Sequence, residues 1–245
     1  NWLYDTPHAV VSLVSLAIAR LEALGYRRLF LPLRREGLDH VTENIGNFLY
    51  CLNRLADEGT SSDMHPVLQY PLMRERPICP DGKTVLNYHQ ATTPDQKAVV
   101  LFSGGLDCTV AAYVMRKLGH SLHLYNVQYG QSNRYQEQYC IEKTVEDLSN
   151  GGIAVLTCLS APIFQSVGGS ALLDDTVMIT QNNTSDEYVP FRDTILINFA
   201  VHYALKKGIP YIVTGAHRDD TLAPDNRYDY YLAFQQLLQC QKATS

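Results

Sequence analysis

The sequence lacks the cysteine and apolar patterns that mark secreted and membrane proteins. Its six cysteines are scattered and form no Cys-x-x-Cys pair, which argues against a secreted disulfide framework and a complete zinc site. The longest apolar run, residues 9–19, is too short to span a bilayer and follows Asp5 rather than a basic residue. Neither a transmembrane helix nor a signal peptide is therefore expected. These absences predict a reduced, cytoplasmic protein.

Charged residues are also few, and they leave a small acidic excess. They make up 18% of the chain, and the formal net charge is −5. This balance argues against a protein that mainly neutralises nucleic-acid phosphates, while 46% hydrophobic residues suffice for a sizeable core. We therefore expect a globular protein that acts on a small molecule, without a membrane or nucleic-acid partner. Because the chain begins at Asn1 and not at Met, a processed chain or a fragment is expected.

Apolar strands alternate with amphipathic helices from residue 97 onwards. Strand patterns occupy residues 97–102, 121–128, 153–160 and 211–216, and helical patterns occupy residues 133–148, 194–207 and 228–239. A further helix follows the first strand, with Val110, Val114 and Leu118 on one face. The alternation predicts an α/β fold, a Rossmann-like parallel sheet with helices on both faces. Ligands of such sheets bind at the carboxyl ends of the strands.

The first 73 residues repeat part of this pattern. One constant offset places Pro7 on Pro190 and Gly25 on Gly208, and it superposes residues 17–33 on residues 200–216. Residues 1–73 are therefore predicted to be a partial α/β unit, the second half of a degenerate related domain. The alternative is that any helix, glycine and strand in series resemble another such series.

The repeat and the composition together suggest domain boundaries. Residues 74–96 contain prolines and no sustained periodicity, so they are predicted to be a linker. Residues 97–245 are predicted to form the ligand-binding domain. In the repeat, Ala9 and Val10 occupy the positions of Arg192 and Asp193, which favours a structural role for the N-terminal unit over a catalytic one.

The loop after the first of these strands is typical of a phosphate-binding turn. It reads Phe102-Ser103-Gly104-Gly105-Leu106-Asp107-Cys108-Thr109. The two glycines let the backbone approach a ligand, and the N–H groups at the start of the helix attract an anion. Ser103 and Thr109 can add hydroxyl donors, and Asp107 can hold magnesium or orient the donors. The pattern predicts a pyrophosphate cradle, with a plain turn as the alternative.

The string Ser-Gly-Gly-x-Asp resembles the loop of the PP-loop ATP pyrophosphatases, which cleave ATP between its α and β phosphates. Three further segments, Tyr129-Gly130-Gln131, residues 168–172 and Tyr188-Val189-Pro190-x-Arg192-x-Thr194, narrow the resemblance to the 7-cyano-7-deazaguanine synthase family. The block from Gly215 to Arg227 also resembles that family, so the resemblance spans roughly residues 97–239. It implies a fold like that of the adenine nucleotide alpha hydrolases.

The resemblance implies an ATP-dependent carbon–nitrogen ligase of queuosine biosynthesis. Enzymes of this family convert 7-carboxy-7-deazaguanine and ammonia to a nitrile, and release AMP and pyrophosphate. ATP and magnesium are the implied cofactors, and the deazaguanine and ammonia are the implied small-molecule partners. A homodimer is compatible with the sequence.

The resemblance also assigns residues to these steps. It implies that residues 102–109 bind ATP, and that Ser103, Asp107 and Arg192 are catalytic. The expected substrate-binding residues are Tyr129, Gln131, Arg192, Asp219, Asp225 and Arg227. Other interpretations stay open: Arg192 could pair with Asp193 or Glu187, Tyr129 and Gln131 could close a turn, and the acidic loop could be solvated.

Several positions depart from the family pattern. Ser132, Asn133, Asp193 and Asn226 differ from the residues usual there, and Cys108 replaces the usual Ser. These departures leave two alternatives: a relative that transfers the activated acid to another amine, and an inactive nucleotide-binding scaffold. The family's four zinc-binding cysteines would lie beyond Ser245, so no metal site is expected within these residues. Zinc would need residues beyond Ser245, and the chain is either truncated or a zinc-free relative.

Overall fold

A computed structural model describes residues 9–31, 33, 38, 41–42, 44–61, 67–69, 95–149, 154–166, 170, 172–173, 188–216 and 223–240. These residues divide into two compact units. The first unit takes its residues from 1–87, 190–198 and 218–245, and the second from 88–189 and 199–217. Most of the expected linker, residues 74–94, lies outside the described residues, and the domain boundaries expected from the sequence stay a prediction.

The described elements alternate between helix and strand along most of the chain. In chain order they are α1 (Ala9–Ala23), β1 (Arg28–Phe30), α2 (Ile45–Gly59), β2 (Val67–Gln69), β3 (Lys97–Leu101), α3 (Leu106–Lys117), β4 (Ser121–Gln128), α4 (Arg134–Ser149), β5 (Ala154–Ser160), α5 (Arg192–Lys207), β6 (Tyr211–Val213) and α6 (Tyr228–Gln239). Two short 3₁₀ helices, Ile163–Ser166 and Pro224–Asn226, complete the set. No helix in this described part of the chain is long and apolar enough to cross a membrane.

The second unit contains a four-stranded sheet in the order β5-β4-β3-β6. Every pairing is parallel: Lys97 of β3 is opposite Ser121 of β4, and Ala98 of β3 is opposite Tyr211 of β6. The centre of β3 is fully buried, as expected for a parallel strand covered on both faces. The predicted fold class, an α/β parallel sheet flanked by helices, is confirmed.

Helices α3 and α4 pack on the sheet through apolar side chains. The core includes Ala112 and Met115 of α3, and Ile141 and Leu148 of α4. The predicted stripe of α3 is not part of this core, because Val110, Val114 and Leu118 are 52%, 49% and 50% exposed. Cys108, Ala112 and Met115 are the buried side chains of this helix instead.

Where the structure describes it, the first unit is built mainly from helices, with one short parallel pair of strands. Strand β1 pairs with β2, and Arg28 is opposite Val67. Helix α2 packs on helix α6, and both present fully buried apolar side chains, among them Leu52 and Leu55 of α2 and Leu237 of α6. The first residues of α5 belong to this unit and the remainder of α5 to the second unit.

Candidate functional site

The phosphate loop lies where the strand order of the sheet reverses. Strand β4 pairs with one edge of β3 and strand β6 with the other, so the chain moves to opposite sides of β3 in its successive crossovers. In open parallel sheets, ligands bind beyond the carboxyl ends of the two strands at such a switch point. These ends are followed here by residues 102–105 and residues 214–216.

The two glycines of the loop have different surroundings. Gly104 has φ +81°, and a Cβ there would lie 2.9 Å from the Cγ1 of Ile141 and 3.0 Å from the carbonyl oxygen of Glu137. Among the described residues, a Cβ at Gly105 would lie near the Oγ of Ser103 alone, at 3.5 Å. The lack of a side chain at Gly104 therefore lets the loop pack against helix α4. The described residues leave space beside Gly105, and we call this side the open face of the loop.

The open face of the loop carries the start of helix α3. Gly105 is the N-cap residue, and among the described residues no side-chain cap hydrogen bond is made at this end. The Gly105 N–H itself donates to the Oγ of Ser103 at 3.4 Å, and the following N–H groups belong to the first turn of the helix. Ser103 and Asp107 are exposed beside this end, and Phe102 and Cys108 are buried beneath it. A helix start with uncapped N–H groups and a positive dipole end fits a phosphate group.

Gly215, which follows strand β6, supports the loop from its other side. A Cβ at this position would lie 2.7 Å from the backbone nitrogen of Cys108 and 3.0 Å from the carbonyl carbon of Asp107. Contacts this short would force the backbone to shift. The absence of a side chain at Gly215 therefore lets the two loops of the switch point approach each other.

The thiol of Cys108 is held inside the loop. Its Sγ donates to the carbonyl oxygen of Gly105 at 3.3 Å and lies 3.5 Å from the Oγ of Ser103. Cys108 is buried, so its side chain packs below the loop rather than facing solvent. Its assignment to ATP binding stays a prediction, and the geometry favours an indirect contribution through the loop conformation.

Asn126 is a residue of this site that sequence reasoning missed. It is buried in strand β4, and its Nδ2 donates to the carbonyl oxygen of Phe102 at 2.9 Å. Its Oδ1 is buried and has no hydrogen-bond partner within the described part of the chain. This side chain fixes the end of β3 immediately before the glycines. The available signal was an amide residue between the apolar residues Tyr125 and Val127 of the strand, but strand patterning alone does not distinguish it from a packing residue.

Tyr129 and Gln131 form a closed turn after strand β4. The Tyr129 N–H donates to the Oε1 of Gln131 at 2.9 Å, and the Nε2 of Gln131 donates to the Oε2 of Glu137 at 2.6 Å. The ring of Tyr129 packs edge-on against Phe164, with centroids 5.5 Å apart. Both side chains are buried. These contacts agree with the turn-closing alternative, and substrate binding by this pair stays a prediction.

A charged cluster lies at the start of helix α5 in the first unit. The Nε of Arg192 donates to the Oδ1 of Asp193 at 2.9 Å, which is one of the two ion pairs considered from the sequence. The Asp193 N–H donates to the Oδ2 of Asp225 at 2.8 Å. The structure therefore brings together Arg192 and Asp225, two of the predicted substrate-binding residues, and adds Asp193 between them.

The surroundings of Asp225 change its acidity. Burial is the largest cause, and the nearby charge of Asp193 adds to it, so the pKa of the Asp225 carboxyl lies well above its usual range. The Arg192 guanidinium opposes this shift. A carboxyl group with a raised pKa can donate a hydrogen bond when protonated. Perturbed acids of this kind are enriched at functional sites.

The remaining predicted residues are placed less closely. Arg227 is exposed at the N-cap of helix α6, and Asp219 lies outside the described residues. Residues 102–109, Tyr129 and Gln131 belong to the second unit, while Arg192, Asp225 and Arg227 belong to the first. Among the described residues, no group of three or more His, Cys, Asp or Glu side chains is placed to hold a metal ion.

Sequence comparisons relate the chain to one family. The family model described as "Queuosine biosynthesis protein QueC" matches residues 97–245. A 7-cyano-7-deazaguanine synthase of Halobacterium salinarum strain R1 is 33% identical over 147 residues, which are 58% of this chain and 63% of the relative. A protein of the same name from Cyanothece sp. strain PCC 7425 is 35% identical over 150 residues, which are 58% and 63% of the two chains. The match thus spans somewhat less than two thirds of these relatives.

Proposed function

Because the chain belongs to the family of the queuosine biosynthesis protein QueC, we propose that it is an ATP-dependent carbon–nitrogen ligase. The proposed reaction converts 7-carboxy-7-deazaguanine and ammonia to 7-cyano-7-deazaguanine. The observation that carries the proposal is the uncapped glycine loop at the switch point of the sheet. The relatives that match the chain bear the name of this synthase, and the proposed substrates are small molecules of the cytoplasm.

The reaction needs ATP because a carboxylate is a poor electrophile. Its oxygen attacks the α-phosphorus of ATP, and the bond to pyrophosphate breaks. Ammonia then attacks the acyl carbon, loses a proton and displaces AMP to leave an amide. The amide oxygen attacks a second ATP in the same way, and loss of AMP with the remaining two N–H protons gives the nitrile.

The loop of the second unit is proposed to hold the pyrophosphate part of ATP. Negative charge grows on this group as it leaves, and donors that already point at it stabilise the transition state. The backbone N–H groups at the start of α3 and the exposed hydroxyl of Ser103 are these donors. Magnesium, when bound, supplies further positive charge, and the exposed carboxylate of Asp107 is the hard oxygen ligand that suits it.

The cluster of the first unit is proposed to recognise the deazaguanine or the developing charge. The Arg192 guanidinium suits an anionic oxygen, and Asp225, when protonated, can donate to the substrate. Arg227 and Asp219 are proposed to bind the substrate with them. Tyr129 and Gln131 are proposed to shape the loop that faces the substrate, since their polar atoms already bond within the turn.

A second candidate function keeps the activation step and changes the acceptor to another amine. The observation that favours it is Asp193, which departs from the family pattern and pairs with Arg192 at 2.9 Å. An arginine held by a neighbouring carboxylate presents a different pocket to the incoming amine.

The test incubates the full natural chain with ATP, magnesium, ammonium and 7-carboxy-7-deazaguanine, and follows AMP and the deazaguanine products by mass spectrometry. We expect AMP together with the amide or nitrile. AMP formation without either product would replace the proposal by the second candidate. ATP binding without AMP would leave a nucleotide-binding scaffold and contradict both enzyme functions.

Variants of the loop make this test specific. We expect Ser103→Ala to lower kcat/KM by about 10²-fold, the usual effect of removing one donor to a developing anion, and Asp107→Asn to raise the magnesium concentration needed. The matched control is Glu146→Gln, because Glu146 is a largely exposed acid of helix α4 in the same unit. Its activity should equal that of the native protein.

A further inference from the structure

Two segments of the chain, separated by 183 residues, fold in the same way. Asn198 and Ser15 stand at this separation. Helix α1 begins the same distance before α5, strand β1 before β6, and helix α2 before α6. Gly25 and Gly208, which follow the two first helices, both have positive φ, of 70° and 63°. One offset thus relates three successive elements, which is more than a single helix, glycine and strand would share by chance.

The hydrogen bonds around these glycines follow the same register. In each copy the glycine N–H bonds three residues back, and the next N–H bonds five residues back. The bonds are Gly25 N to Glu22 O at 2.9 Å, Tyr26 N to Leu21 O at 3.0 Å, Gly208 N to Leu205 O at 3.1 Å and Ile209 N to Ala204 O at 2.9 Å. The repeat therefore extends to individual backbone bonds.

Equivalent residues of the two copies meet inside the first unit. The Nδ2 of Asn198 lies 3.5 Å from the Oγ of Ser15, and both side chains are buried. In a two-fold symmetric pair, a residue on the axis contacts its own counterpart. This contact is the one that a symmetric pairing of the two copies requires.

Helices α2 and α6 pack in the matching way. Arg54 Nη1 donates to Gln236 Oε1 at 3.0 Å, and Cys51 Sγ lies 3.5 Å from Cys240 Sγ. The contacts advance along α2 as they go back along α6, so the helices are antiparallel. The 183-residue offset places Arg54 on Leu237, which is next to Gln236, the residue that Arg54 contacts. The two helices therefore cross close to equivalent positions of the two copies.

The turns that precede these helices complete the pattern. Thr42 Oγ1 donates to the carbonyl oxygen of Cys240 at 2.5 Å, so the turn before α2 reaches the end of α6. The counterpart of Thr42 is Asp225, whose 3₁₀ helix contacts α2. Each turn thus packs on the other copy's helix, as in an isologous interface.

From these contacts we propose that residues 9–59 act as an internal partner that replaces a second copy of the chain on this face. They cover α6 and the start of α5 about a pseudo-two-fold axis. Ala9 and Val10 stand where the other copy has Arg192 and Asp193. The internal partner therefore stabilises the face without adding a second charged cluster. This proposal is independent of the reaction proposed above.

The native cysteines Cys51 and Cys240 allow a direct test on the full natural chain. Diamide takes two electrons and two protons from a thiol pair, is itself reduced to the hydrazine, and leaves a disulfide. The treated protein is separated on a non-reducing denaturing gel, and the disulfide-linked peptides are identified by mass spectrometry. We expect a Cys51–Cys240 disulfide in the monomer band at low and at high protein concentration.

One result would overturn the proposal. A Cys51–Cys240 disulfide found in a covalent dimer would show that the two segments pair between chains. Cys51→Ser is the control for peptide assignment and should abolish the product. A Cys140→Ser, Cys158→Ser variant removes the two exposed thiols of the second unit and should leave the product unchanged.

Discussion

At the scale of single residues, substitutions at the two glycines of the phosphate loop should affect different properties, protein stability at Gly104 and ATP affinity at Gly105. We expect Gly104→Ala to destabilise the protein by about 1–3 kcal/mol, because its φ of +81° and its contacts with helix α4 leave no room for a side chain. Gly105→Ala should keep the stability within about 0.5 kcal/mol but weaken ATP binding, since its side chain would enter the open face. Urea unfolding and calorimetric ATP titration measure the two effects. Equal ATP affinity in Gly105→Ala and the native protein would contradict the proposed cradle.

Asp225 gives a prediction for the pH dependence of stability. Burial raises the pKa of its carboxyl, so the folded state binds the proton more tightly than the unfolded state does. The free energy of unfolding should therefore fall as pH rises from the ordinary range near about 3.9 through the raised pKa. Asp225→Asn removes this loss, and its stability relative to the native protein should increase with pH.

Urea unfolding over a pH series measures this difference. Asp229→Asn is the matched control for the substitution itself, because Asp229 is an exposed aspartate at the start of helix α6. A difference between Asp225→Asn and the native protein that is the same at every pH would contradict the prediction, because the Asp225 carboxyl would then bind its proton equally well in the folded and unfolded states.

At the scale of elements, the end of helix α2 holds the turn before Arg192. Phe191 is fully buried with φ +56°, an unfavourable conformation for an aromatic residue, and a Cβ on Gly59 would collide with its ring. We expect Gly59→Ala to cost about 1–3 kcal/mol and to lower kcat/KM by moving Arg192. Adding Phe191→Leu should restore part of both, as a double-mutant cycle would measure. Additive losses would contradict the contact.

Most elements of the second unit could be predicted from the sequence because their patterns are local. Strand β4 and helix α6 have the predicted limits, residues 121–128 and 228–239. The orientation of α3 could not be predicted, since Val110, Val114 and Leu118 look like a core face until the position of the sheet is known. Small residues such as Ala112 make the actual contact, and their pattern is weak in the sequence.

The site was predictable to a similar extent. The glycine loop could be predicted because a tight turn of this kind requires glycine, which is visible in the sequence. The role of Asn126 could not, because it depends on which backbone carbonyl the fold places beside its side chain. The contact between Asp193 and Asp225 joins positions 32 residues apart, and no local pattern reports such a distance. The same reason applies to the interpretation of Gln131, whose partner Glu137 depends on how the turn closes.

At the scale of the whole molecule, the units do not follow the order of the sequence. The first unit collects residues 190–198 and 218–245 together with the N-terminal residues, while sequence composition suggests one boundary at residues 74–96. Composition marks where the chain lacks regular patterns, and it carries no information on which distant segments pack. Under the internal pairing proposed above, the 183-residue offset would carry such information, because copies of one segment can pair as identical subunits do.

A ligand-induced change in the stability of the whole chain follows from the proposed phosphate site. A ligand that binds only the folded state stabilises it by about 2.7 kcal/mol at a free concentration one hundred times its Kd. We therefore expect magnesium with ATP to raise Tm by several degrees. Inorganic pyrophosphate should give a smaller rise, since it can use the loop but not the adenine contacts.

Differential scanning fluorimetry of the native chain, Ser103→Ala and Glu146→Gln measures these shifts. Both shifts should shrink in Ser103→Ala and persist in Glu146→Gln, because only Ser103 lies at the uncapped start of helix α3. Equal shifts in all three proteins would mean that the phosphates bind elsewhere.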